Sequence, residues 1–132
     1  MPEASAVRPQ LRDVRAVTYT VPDLRVVEET YPRWLEYRVV ARQEIPAKVA
    51  QAWHAPVLAG RSMLTLAPAS GEGVYFRFIA APEAAGWRAL RTHGWNVAEI
   101  VVQDVDALAA RLTQSPFRII GPPASLQRFP MI

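Results

Sequence analysis

The sequence predicts an α+β domain built from two related β-α-β units, and three observations carry that expectation. The chain has 132 residues, 51% hydrophobic and 20% charged, the composition of one globular unit with a core of ordinary size. Its opening is repeated: AVTYTVPDLRVVEETYPRWLEYRVV, 16–40, matches VAEIVVQDVDALAARLTQSPFRII, 97–120. In both copies a β-branched run leads to Asp, then to a helical pattern, then to an aromatic-Arg-aliphatic-aliphatic run, Tyr37-Arg38-Val39-Val40 in one and Phe117-Arg118-Ile119-Ile120 in the other. A period of about 80 residues is too long for a solenoid and suits paired half-domains.

The elements follow in order. The run 16–21 reads as a strand, and Asp23 stands where an N-cap accepts from unpaired helix N–H groups. Leu24, Val27, Tyr31, Trp34 and Leu35 then recur at one-face helical spacing, with Pro32 expected to bend or shorten the helix because it has no N–H to donate. A strand over 38–45 and a short helix over 47–54 lead into a hairpin, RSMLTLAP, the glycine-bearing turn ASGEG and VYFRFIA. PEAAGWRALRTHG, 82–94, links to the second copy, where a strand precedes Asp104 and a helix bearing Val105, Leu108, Ala109 and Leu112. The expected organisation is a tail over 1–13, a first module over 14–81, the linker 82–94, and a shorter second module over 95–132.

Several function classes are excluded or disfavoured. No run approaches the roughly 18 apolar residues of a membrane span, and MPEASAVRPQLRDVR lacks the apolar core of a secretory signal. There is no Cys, so disulfides, thiolate metal sites and a Cys nucleophile are ruled out, and a cytoplasmic location is the expectation. The formal charge is +3, but Lys48 is the sole lysine, and arginines such as Arg8, Arg15, Arg61, Arg88, Arg118 and Arg128 are scattered. A nucleic-acid footprint is a cluster or stripe, so nucleic acid is not an expected partner. GEG in the hairpin turn precedes a strand, the wrong setting for a dinucleotide fingerprint.

The order β-α-β, helical insertion, β-β, with its opening repeated, resembles the vicinal oxygen chelate superfamily, which includes glyoxalase I, bleomycin-resistance proteins and extradiol dioxygenases. The resemblance rests on VTYTVPDL, IVVQDVDALAARL and VYFRFIA and covers residues 14–132. It implies paired βαβββ modules whose mixed sheet curves around a shared cup, here with the second module incomplete, since only PFRII is a clear strand between its helix and GPPASLQRFPMI. It also implies where a divalent metal would be held in many members. Those positions are Ala16, Val97 and Arg77 here, two side chains without lone pairs and one that repels a cation, so no metal or other cofactor is expected.

Strand alternation then sorts the side chains. Thr18, Thr20, Glu99 and Val101 share the parity of Ala16 and Val97, and Tyr75, Arg77 and Ile79 face the cup from the last strand. Val17, Tyr19, Val21, Val74, Phe76, Phe78, Ala98, Ile100 and Val102 are left for the core. Glu99 and Arg77 would thus meet in one concavity. They either form a structural ion pair or serve a ligand, Arg77 clamping an anionic or carbonyl group and Glu99 accepting its donors. Tyr75, Thr18 and Thr20 complete the expected ligand-binding set, and Glu99 is the candidate catalytic base should the protein be an enzyme. His54 and His93 lack metal spacing, and Trp53, Trp87 and Trp95 either line a ligand mouth or simply pack.

The reading that results is a small-molecule-binding module for an anionic or aromatic ligand, without the usual metal. The alternatives are an enzyme of the same superfamily acting on a small carbonyl or aromatic substrate through a divergent site at Glu99, and a structural module for assembly. Unpaired strand edges in the shorter second half further predict a homodimer or larger homo-oligomer.

Overall fold

A computed structural model describes residues 13–125. The expected tail over 1–13 and the segment from Leu126 onward lie, except for Asp13, outside the described residues. The elements are β1 (Ala16–Val21), α1 (Leu24–Leu35), β2 (Tyr37–Glu44), α2 (Ala47–Ala52), a 3₁₀ turn (Pro56–Leu58), β3 (Ser62–Pro68), β4 (Tyr75–Ala80) and α3 (Val105–Leu112). The fold is α+β, with one mixed four-stranded sheet in the order β1-β4-β3-β2. β1 and β4 run parallel, whereas β2, β3 and β4 form an antiparallel meander.

Both caps form as expected. The Asp23 carboxylate accepts from the Arg25 N–H at 2.9 Å, and that of Asp104 from the Ala107 N–H at 2.8 Å. The first helix departs from expectation, since Pro32 lies inside it and does not end it. Pro32 is exposed, and the last turn is held from the other side by Tyr31, whose ring contacts those of Tyr37, Phe76, Phe78 and Phe117. Tertiary burial thus outweighs one missing backbone bond. The helix stops at Glu36, in the left-handed region at φ 58°, with its N–H donated to the Tyr31 carbonyl.

The core divides between the two sheet faces. Under α1, Val27 packs with Leu64, Leu66, Phe76 and Phe78, flanked by Val17, Tyr19, Val21 and Tyr37. This is the alternation expected for β1 and β4. On the opposite face, Ile45, Ala50, Met63 and Ile79 form a second cluster with Val49, Trp53 and Leu58. That cluster exists because the chain between β2 and β3 folds back over the sheet. Ile45 donates to the Arg61 carbonyl at 3.0 Å and Gly60 donates to the Ile45 carbonyl at 2.8 Å, pinching the base of the excursion. Gly60 takes φ 73°, where a side chain would be strained. The Arg61 guanidinium reaches the carbonyls of Val57 and Ala80, fastening the excursion to the end of β4.

The second half differs from expectation. No strand forms over 97–102 or 117–120 among the described residues, and α3 buries no side chain fully. Ala98 touches the core beside Tyr19, Phe117 stacks edge-on against Tyr31 at 5.8 Å, and Arg111 of α3 bonds Glu36 at 2.6 Å, but Trp95 and Val101 are 100% and 99% exposed. The physical reason is visible in the first half. β1 is held through its parallel pairing with β4, and among the described residues no second-half segment offers the repeat of β1 an equivalent neighbour.

Two outcomes test this core. Leu66 is wholly buried, so Leu66→Ala should lower unfolding free energy by about 2–5 kcal/mol in urea titration. Burial, reinforced by the neighbouring Tyr19 and Tyr37, pushes the Tyr31 hydroxyl from 10.0 to about 12. Its neutral form is therefore favoured by folding, a contribution intact below pH 10 and lost as pH rises toward 12. Between those limits the melting temperature of the wild type should fall more steeply than that of Tyr31→Phe.

Candidate functional site

The face opposite α1 carries the chemistry. Register sets Thr18 of β1 beside Arg77 of β4, and Arg77 beside Thr65 of β3. Neighbouring residues in register project to the same side, so Thr18, Arg77 and Thr65 form a row. Arg77 Nε donates to Thr18 Oγ1 at 3.0 Å. The excursion between β2 and β3 delivers Trp53, the residue ending α2, so that the Arg77 guanidinium carbon lies 4.8 Å from the centroid of its ring. That is cation–π distance, and it fixes the plane of the guanidinium.

One nitrogen and one face of Arg77 are thus engaged. The terminal nitrogens make no hydrogen bond to the described residues, and no carboxylate among them lies within ion-pair distance. The four ion pairs found join Arg15 to Asp13, Arg25 to Asp23, Arg42 to Glu28 and Arg111 to Glu36, none of them on this face. A half-buried guanidinium held at its stem and open at its fork suits bidentate recognition of a planar anion.

Of the residues singled out from sequence, Thr18 and Arg77 are brought together. Thr20 pairs with Ile79 one step along the same face and is exposed. Tyr75, 39% exposed, lies one step the other way on β4. Glu99 is not joined to them: it is exposed, outside any strand, and makes no hydrogen bond or ion pair with the described residues. The expected Arg77–Glu99 pair is therefore not made within the chain, because the strand that would have carried Glu99 does not form. His54 follows α2 at φ 54° and, like His93, is exposed.

Two contributors were not foreseen in these roles. Trp53 was read as lining a mouth or packing, and its position over Arg77 depends on the folded-back excursion. Arg38 pairs with Ala67, on the side opposite the half-buried Tyr37 and Val39, and so shares the face of Arg77. A register shift between Val39 and Ala41 follows, so that Ala41 and Gln43 share the face of Arg38.

Comparison with known proteins bears on the fold. No family model matches the chain, and no curated protein matches its sequence. Among solved structures, a glyoxalase family protein from Bacillus cereus superposes with a TM-score of 0.65 over 94% of this chain and 85% of its own, at 14% identity. The architecture is thus glyoxalase-like. No helix among the described residues is long and apolar enough to cross a membrane.

A divalent metal, which that resemblance directs one to look for, does not fit this face. Ala16 supplies no ligand atom, Arg77 brings positive charge, and Val97, which would offer none either, is outside any strand. No three His, Asp or Glu side chains converge among the described residues. Protein purified without chelator should therefore hold well under one equivalent of Zn, Ni, Mn or Fe by elemental analysis, with a melting temperature indifferent to EDTA. Stoichiometric tight metal would refute the assignment.

Proposed function

We propose that this protein binds a small anionic molecule on the sheet face centred on Arg77, using a glyoxalase-like fold without the metal. The observation that carries the reading is the state of the Arg77 guanidinium: stem on Thr18, plane on Trp53, fork unengaged by the described residues. Tyr75 offers an aromatic edge and Thr20 a hydroxyl for the body of the ligand. No observation favours Glu99 as a catalytic base, since it stands exposed and apart from this face.

The test is titration calorimetry with small carboxylic acids at low salt. Arg77→Gln should weaken binding by roughly 10–100-fold, the scale of a hydrogen bond to a charged group at about 1.5–3 kcal/mol. Trp53→Ala should weaken it less, by loosening the guanidinium. Both proteins should stay folded, losing at most about 2 kcal/mol for the cation–π contact. Equal affinity in wild type and Arg77→Gln would reject the site.

A specific observation also favours self-association. Trp95, Val97 and Val101 form an exposed apolar run with no sheet partner among the described residues, and such a run is a template for pairing with another chain. Light scattering at micromolar concentration should give a dimer or larger species, which Val101→Lys should dissociate. A stable wild-type monomer would contradict this.

A further inference from the structure

Arg77 supplies one positive charge to the open face, and Arg38 supplies a second. Arg38 lies near the start of β2 and pairs with Ala67, while its neighbours Tyr37 and Val39 pack under α1. Its side chain therefore leaves the sheet on the side of Arg77. The two residues are separated by two strand spacings across and one two-residue step along, which puts their α-carbons roughly 12 Å apart. Between them the floor is made by Thr65 and Ala41, both half-buried, and by Ala67, which is buried.

The charge on this floor is one-sided. Arg38 is exposed and makes no hydrogen bond or ion pair with the described residues. None of the strand positions sharing the face, from Thr18 and Thr20 on β1 to Ala41 and Gln43 on β2, is Asp or Glu. Two cations over a floor of small residues, with no counter-charge built in, define a site for two negative charges on one small body. Long side chains let the guanidiniums lean together or apart, so the body can be a short aliphatic chain or a single ring.

We propose that the ligand of this face is a small dicarboxylic acid, one carboxylate forked by the terminal nitrogens of Arg77 and the other met by Arg38. The proposal rests on the reading of Arg77 as an anion site and adds the second charge. Arg77 anchors, because Thr18 and Trp53 hold it in place; Arg38 selects, because its side chain is free to close on whatever carries a second anion.

Calorimetry at low salt on matched pairs, adipate against hexanoate and terephthalate against benzoate, tests it. At least one pair should favour the dianion by about tenfold, as one added charge-assisted contact would give. Arg38→Gln should bring that dianion down to the affinity of its partner, and Arg38→Lys should restore part of the preference. Arg38 is exposed, so both variants should melt with the wild type, and a melting scan verifies it. Equal affinity within both pairs, with Arg77→Gln still weakening binding, would overturn the dicarboxylate and leave the single-anion site standing. No binding of any of these acids would overturn both.

Discussion

The parallel pairing of β1 with β4 is the constraint on which the rest depends. It joins residues 16–21 to 75–80 in unbroken register, across the whole intervening sequence. Because side chains in register share a face, this pairing commits Val17, Tyr19 and Val21 to the layer under α1 together with Phe76 and Phe78. By the same step it places Thr18 beside Arg77 on the other face. A slip of one residue would bury Arg77 beneath the helix and expose the phenylalanines, so hydrophobic burial and the site geometry are fixed by one choice.

The second constraint is the excursion between β2 and β3. A sheet with one helix layer would leave its far face wet, and Met63 and Ile79 would be stranded there. Folding residues 46–59 back over that face buries them with Ile45 and Ala50, and incidentally carries Trp53 to Arg77. The excursion needs a sharp return at Gly60 and an anchor, which Arg61 supplies at the Val57 and Ala80 carbonyls. One end of the face is thereby filled with aliphatic side chains. The end toward Tyr75, 39% exposed, is the more accessible one.

What the sequence disclosed and what it hid separate along a physical line. Asp23 and Asp104 were readable as caps because capping is local, and the alternation of VYFRFIA was readable because a strand buried on both sides leaves one parity for each layer. Arg77 was placed on the correct face for that reason. The strand expected at 97–102 was not a local matter. Its residues have strand character, yet a strand is a property of a pair, and the neighbour that β1 finds in β4 has no counterpart for its repeat among the described residues. Glu99 was assigned to the cup through that strand and left it with the strand. The place of Trp53 over Arg77 depends on a long-range closure, which periodicity does not record.

On the face opposite α1, Arg77 is held without a counter-charge among the described residues. Among the described arginines, Arg15, Arg25, Arg42 and Arg111 find a carboxylate, whereas Arg33, Arg61, Arg88, Arg91 and Arg118, like Arg77 and Arg38, do not. An exposed pair of that kind stabilises a fold by less than about 1 kcal/mol, so its absence at Arg77 costs the fold little. Its presence, however, would occupy the fork. Thr18 and Trp53 satisfy Arg77 differently, one through a neutral acceptor and the other through a ring face, and neither neutralises the charge. Lysine could not reproduce this, having no planar face to stack and no fork to present. Arg77 is thus held in position with its charge intact and its fork unengaged by the described residues.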